Sequence, residues 1–256
     1  MRVTMYFHPS CATSRQVIVG LDRAGLLDAV ELVPILDGSK ALKLGVWSVP
    51  WVIIDGRPAL TDPTDADEVI TVLKGGRPDV GDEVEAFMNA VLHSSFATTV
   101  SLLHGSISPI VDVDFVSAAV RAPLTGTDSH RIASRLASDG TRLFSEWSDK
   151  LRRAAAVSFV RELYWASNGD VTPDHVVSLA TPASVGAWLI AKASVGRAAL
   201  PARPHGAARE DAEWIASFVS RAARGLLEKV KEEQAEIYGD SHYLRILERL
   251  GISIPP

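Results

Sequence analysis

"YFHPSCATSR", residues 6–15, holds the only cysteine of a 256-residue chain. The residues before it, "RVTMYFH" (2–8), alternate in character and are rich in strand formers, which predicts a β-strand. The residues after it, "ATSRQVIVGLDRAGL" (12–26), place Val17, Ile18, Leu21 and Leu26 at helical spacing with Gly25 near the end, which predicts a helix. Cys11 therefore belongs at a strand-to-helix junction. The free amides and the positive dipole end of a helix N-terminus favour a thiolate there. The expectation is a nucleophilic sulfur with its pKa lowered from the ordinary value of about 8.5. Thr13 and Ser14 can offer hydroxyl hydrogen bonds to the sulfur, and His8 and Arg15 are candidate cationic neighbours. The competing reading makes Cys11 a small buried hydrophobe, a common place for cysteine.

Outward from that junction, "VELVPI" (30–35) predicts a second strand and "SKALKLGV" (39–46) at most a short helix. "PWVIID" (50–55) predicts a buried strand, and "DGR" turns it into "PALT" (58–61) to close a hairpin. "TDADEVITVLKGG" (64–76) opens on Thr64, Asp65 and further acidic residues and stops at two glycines, a capped helix. The predicted order is β-α-β-(α)-β-β-α, with a parallel opening pair and an antiparallel hairpin.

Composition bounds the rest. Hydrophobic residues are 47% and charged residues 22% of the chain, enough for a packed core. The net charge of −5 supplies no basic field, which argues against nucleic acid as a partner. No apolar run is long enough to span a bilayer, and the longest, residues 183–196, is broken by Lys192. The first residues lack a secretory signal, so a reducing cytoplasm is the expected location. One cysteine excludes an internal disulfide framework and a multi-thiolate zinc site, and no metal is expected.

Residues 74–83, "KGGRPDVGDE", read as a linker after which strand signals fade. The expected organisation is an α/β domain over 1–76, a linker over 77–83 and an all-helical domain over 84–256. In the latter, "EVEAFMNAVLHSSFATTVSLLHG" (83–105) reads as one helical stripe, which would put His93 and His104 near one face without a third ligand. Residues 129–169 continue as helix with an interruption at Asp139-Gly140. Residues 172–197 are the most apolar and are expected at the centre of a bundle. Residues 199–211 read as a loop, 213–239 as a long amphipathic helix, and "EKVKEEQAE" (228–236) as its solvated face.

Two motifs carry a family resemblance. "YFHPSCATS" resembles the active-site loop of glutaredoxins, and "GVWSVPWVIIDGRPAL" (45–60) is similar to the Val-Pro, strand, turn and strand segment of the thioredoxin superfamily. The resemblance covers about residues 1–76 and implies a thioredoxin-like fold. It further implies that Pro50 is cis and lies against Cys11, and that the Val49 backbone pairs with the main chain of a thiol peptide. Asp62, Thr64 and Asp65, at the start of the third helix, can hold an ammonium group, although capping preferences favour Thr64 and Asp65 as caps of that helix.

The pattern also departs from the family. The dithiol motif is Cys11-Ala12-Thr13-Ser14, so a mixed disulfide would need an external thiol for release. His8 replaces a frequent lysine, and "LTDPTDAD" (60–67) stands where glutathione-binding members carry a glycine pair. "CATSR" also resembles the loop of glutaredoxin-related arsenate reductases, but residues 35–50 leave no room for their helical insertion. A glutaredoxin-like domain followed by helices resembles the layout of glutathione transferases, in architecture alone.

The resulting expectation is thiol-dependent redox or glutathione-transferase-like chemistry. Cys11 is the nucleophile or a thiolate ligand, Ser14 and Thr13 are its hydroxyl partners, and His8, Arg15, Val49, Pro50, Asp62 and Asp65 line the thiol site. No cofactor is expected to stay bound, with glutathione or another low-molecular-weight thiol as cosubstrate. The expected partner is a small thiol or a protein thiol or disulfide, not nucleic acid or membrane, and a homodimer is left open. The alternative is a non-catalytic scaffold whose helical domain binds a partner.

Overall fold

The computed structural model describes residues 1–36, 38–194 and 205–252. The chain divides into two units. One comprises Met1–Ala90, Asp112–Ala133 and the chain from Gln234 on; the other comprises Val91–Val111 and Ser134–Glu233.

The first unit holds a four-stranded mixed sheet. β1 (Val3–Phe7) is followed by α1 (Ala12–Arg23), β2 (Val30–Pro34), α2 (Gly38–Lys43), β3 (Trp51–Ile54), β4 (Arg57–Thr61) and α3 (Ala66–Leu73), the order predicted from the periodicity. The strands lie β2-β1-β3-β4. β1 runs parallel to β2 and antiparallel to β3, and β3 pairs antiparallel with β4. A single mixed sheet of this order is compatible with a thioredoxin-like domain. The β3–β4 hairpin turns on Asp55 and Gly56, both at positive φ (48° and 81°), which a two-residue hairpin loop of this hand requires.

The alternation in β1 sets the two faces. Val3, Met5 and Phe7 are buried, and Val3 and Met5 pair across to Ile54 and Val52, so one face is continuous from strand to strand. Val17, Ile18 and Leu21 of α1 and Val69 and Val72 of α3 complete that core. Gly20 lets α1 and α3 approach, because a Cβ there would stand 2.2 Å from Ala66 Cβ. The opposite face carries Trp51, whose ring lies 6.3 Å from Phe115; Phe115 in turn stacks on Trp47 at 5.2 Å and meets Phe87 edge-on at 5.3 Å. Phe87 comes from α4 (Glu83–His93) and Phe115 from α6 (Val113–Ala119). The Ser117 hydroxyl of α6 donates to the Pro58 carbonyl at 3.1 Å, tying that helix to β4. α7 (Ala122–Thr125) also lies against β4.

The C-terminal helices supply the rest of this core. α12 (His205–Gly239) ends, Asp240 caps the next helix by accepting from the amides of His242 and Tyr243, and α13 (Ser241–Arg249) follows. Ile237, Tyr243, Ile246 and Leu247 are buried in the same cluster as α1 and β1. Each such side chain contributes roughly 1.5–3 kcal/mol by leaving water.

In the second unit the single stripe expected over 83–105 is broken. Ser94 ends α4 and caps α5 (Ser95–His104), its hydroxyl accepting from the Ala97 amide at 3.2 Å. His93 and His104 consequently lie on different helices. All eight residues from Phe96 to Leu103 are buried, so α5 is the central helix, packed on α9 (Gly140–Ala166) and α11 (Pro182–Ser194). Residues 172–194, expected at the centre, instead form α10 (Pro173–Leu179) and α11; α11 buries Val185, Leu189 and Ala193 and leaves Ile190 exposed. Lys192 of α11 pairs with Glu162 at 2.5 Å. α8 (Ser129–Ser138) stops before Gly140, where the predicted interruption falls; a Cβ at Gly140 would meet Ser108 Oγ at 2.0 Å. The loop expected over 199–211 lies partly outside the described residues, and from His205 on it is already helix α12. Among the described residues no single helix is long and apolar enough to cross a membrane.

Candidate functional site

Cys11 is the N-cap residue of α1. Its backbone is extended, and its sulfur accepts from the Ser14 amide at 3.4 Å. The Val49–Pro50 peptide is cis, and the Cys11 thiol donates to the Val49 carbonyl at 3.4 Å. The N-terminus of α1 and the entry to β3 thus meet at the sulfur, as the two motifs predicted.

The electrostatics differ from the sequence expectation. The thiol pKa is raised, not lowered. Burial is the largest cause and the Asp62 carboxylate the next; the Ser14 side chain and the amides of Ser14 and Thr13 pull the other way and do not prevail. The Val49 carbonyl acts in the same sense as burial, because it accepts from S–H and would face a thiolate with its negative end. A helix N-terminus is therefore insufficient when the sulfur is desolvated and a carboxylate stands nearby.

The other candidate residues divide clearly. Ser14 is fully buried, and its hydroxyl makes no hydrogen bond of good geometry, though it leans in favour of the thiolate. Thr13 acts on the sulfur through its backbone amide. His8 Nδ1 accepts the Ser10 amide over 3.1 Å, which shapes the loop before the sulfur. Arg15 turns to the C-terminal segment, with Nη1 on Asp240 at 2.8 Å and Nη2 on Glu236 at 3.3 Å. Asp65 caps α3 by accepting from the Glu68 amide at 2.7 Å and is exposed, the capping role set beside the ammonium role above. Asp62 is buried at the end of β4, close enough to Cys11 to oppose its ionisation.

The turn that carries Asp62 is held from an unforeseen direction. Arg121, at φ 53°, sits between α6 and α7 with its side chain 10% exposed. Nε and Nη2 donate to the two Glu68 oxygens at 2.7 and 3.1 Å, Nη2 also donates to the Pro63 carbonyl at 2.8 Å, and Nη1 to the Ala119 carbonyl. Thr64 Oγ1 donates to Glu68 Oε2 at 2.6 Å. The network pins the chain immediately after Asp62.

A second set of unforeseen residues comes from the C-terminal segment. The Tyr243 hydroxyl donates to the Pro9 carbonyl at 3.0 Å, Gln234 Nε2 donates to the Ser10 carbonyl at 3.4 Å, and the Tyr238 and Ser10 hydroxyls lie 3.3 Å apart. Gln234 is wholly buried, a correction to the reading of residues 228–236 as solvated. The sequence signal was present in the strong amphipathicity of "SHYLRILERL" (241–250), but nothing local says what its apolar face covers. Among the described residues no group of three His, Cys, Asp or Glu side chains is arranged to hold a metal ion.

Searched against protein-family models, curated proteins and solved structures, the chain gives no match. The functional reading rests on its own residues.

Proposed function

We propose that the first unit is a thioredoxin-like domain and that Cys11 performs single-cysteine thiol–disulfide exchange. The observation that carries this reading is the meeting of the half-buried Cys11 sulfur, the α1 N-terminus and the Val49 carbonyl next to Pro50. The Cys11 thiol loses its proton to solvent, and the thiolate attacks one sulfur of a disulfide R–S–S–R. The Cys11–S–S–R bond forms as the R–S–S–R bond breaks, and the leaving R–S⁻ takes up a proton. A second, external thiol then attacks the mixed disulfide and regenerates Cys11, since the chain has no other cysteine. Val49 and Pro50 form the backbone platform for the incoming thiol compound, and Asp62 and Asp65 face its ammonium group if it carries one. Glutathione or another low-molecular-weight thiol is the cosubstrate in a reducing cytoplasm. Transferase activity has support from the two-part layout alone.

A second reading has one observation in its favour. The raised thiol pKa leaves little thiolate at neutral pH, as expected of a scaffold that has lost its chemistry. Incubation with glutathione disulfide followed by intact-mass measurement separates the two. Exchange chemistry yields one reversible adduct that is lost in Cys11→Ser; a scaffold yields none until the protein is unfolded.

A further inference from the structure

We propose that Tyr243, reaching from the last helix, is a positioning residue for the Cys11 loop, and that the segment from Gln234 to Tyr243 keeps the sulfur in its covered resting position. This rests on the thiol reading above and deepens it.

The three residues before Cys11 have every carbonyl oxygen engaged. The His8 carbonyl accepts the Cys11 amide at 3.0 Å, the Pro9 carbonyl accepts the Tyr243 hydroxyl at 3.0 Å, and the Ser10 carbonyl accepts Gln234 Nε2 at 3.4 Å. Two of those three donors lie more than 220 residues away in the chain. Arg15, one helical turn beyond the sulfur, is tied to Asp240, and Asp240 caps the helix that carries Tyr243. Loop, helix start and C-terminal helix are therefore one hydrogen-bonded body. Tyr243 is fully buried and its phenol pKa is raised, first by burial and next by the charge of Cys11, which places its hydroxyl within the electrostatic reach of the sulfur. The groups around the pair are Asp62 at the end of β4, Arg15 of α1 and Asp240 before α13.

Removing the hydroxyl leaves the Pro9 carbonyl buried without its donor. A buried acceptor without a donor is costly, and the loop can relieve the cost by turning that carbonyl to water. Such a movement takes Cys11 off the α1 cap and away from Val49. The sulfur then gains solvent, and the platform loses its register with it.

The test uses the full-length protein, with iodoacetamide and glutathione disulfide as probes. In Tyr243→Phe the pH midpoint of Cys11 alkylation is expected to fall by about one unit, with about tenfold faster alkylation at neutral pH. Adduct formation with glutathione disulfide, relative to alkylation at the same pH, is expected to fall severalfold because the platform is lost. Loss of thermal stability with an unchanged alkylation profile would show a merely structural tyrosine and overturn the proposal, whether or not the wild-type protein exchanges. A wild-type protein that fails to exchange while Tyr243→Phe alkylates faster supports the positioning role and sinks the exchange reading. Should Tyr243→Phe not fold, the Tyr238→Phe/Gln234→Met variant removes two neighbouring contacts to Ser10 and must shift the profile in the same direction.

Discussion

Arg121→Ala offers a quantitative test of how the turn behind Asp62 is held. The guanidinium is 10% exposed and Glu68 16%, so solvent screens the pair little. The substitution keeps a side chain at the same backbone conformation and removes two bonds to Glu68 along with those to the Pro63 and Ala119 carbonyls. It strands the Glu68 carboxylate with Thr64 as its remaining side-chain donor. Breaking one side of a buried ion pair costs about 3–5 kcal/mol. At roughly 1.4 kcal/mol per factor of ten, hydrogen exchange through opening of this region should accelerate by about 10²–10⁴. The assay is hydrogen exchange read on peptides covering β4 and α3, which isolates this unit from the helical one. Replacing both partners, as Arg121→Met with Glu68→Leu, should recover most of the loss because no charge is left buried. Acceleration of less than about tenfold in Arg121→Ala would refute the reasoning and place the pair among ordinary surface bridges.

Other consequences follow from the same packing. Asp62→Asn removes a carboxylate that opposes Cys11 ionisation, so the alkylation midpoint should move to lower pH. Gly20→Ala should destabilise by about 1–3 kcal/mol, since its methyl meets Ala66 Cβ, and Ala66→Gly in the same chain should return part of the loss in a denaturant melt. Ile246→Ala should cost about 2–5 kcal/mol and expose the Cys11 loop to proteolysis together with α13. The Asp22 carboxyl is lowered, first by its bond with His242 at 2.7 Å, against the opposing effect of burial, and also by Arg249 at 3.2 Å. Its contribution is therefore complete above the unfolded value of about 3.9 and fades as pH falls through the lower folded value. An acid titration of Asp22→Asn should lack that component.

The first seventy-odd residues were legible because their signals are local. Strand alternation in 2–8, helical spacing of Val17, Ile18 and Leu21, the Asp55-Gly56 turn and the Asp65 cap each act within a few residues, and each element formed where its own pattern placed it. The meeting of Cys11 with Val49 was legible through the resemblance of two motifs, not through periodicity. What escaped depends on partners distant in sequence. The burial of Gln234 inside a charged run is set by Ser10 and that of Arg121 by Glu68, and no window of sequence contains both members of either pair. The direction of the thiol pKa escaped for a related reason: the helix N-terminus is visible in sequence, whereas desolvation and the approach of Asp62 come from tertiary packing. In the helical unit, a mean apolar character misplaced the centre. Residues 95–104 look mixed because Thr98, Thr99 and Ser101 interrupt them, yet these hydroxyls donate to nearby helix carbonyls and are buried at no polar cost.

Because the chain has one cysteine, its ionisation is read without ambiguity from the β-carbon resonance of isotope-labelled cysteine across pH. A midpoint above the ordinary thiol value of about 8.5, moving downward in both Asp62→Asn and Tyr243→Phe, is the result predicted for a sulfur covered by the Val49 carbonyl and braced by the last helix. A midpoint below about 7, unmoved by either substitution, would contradict it.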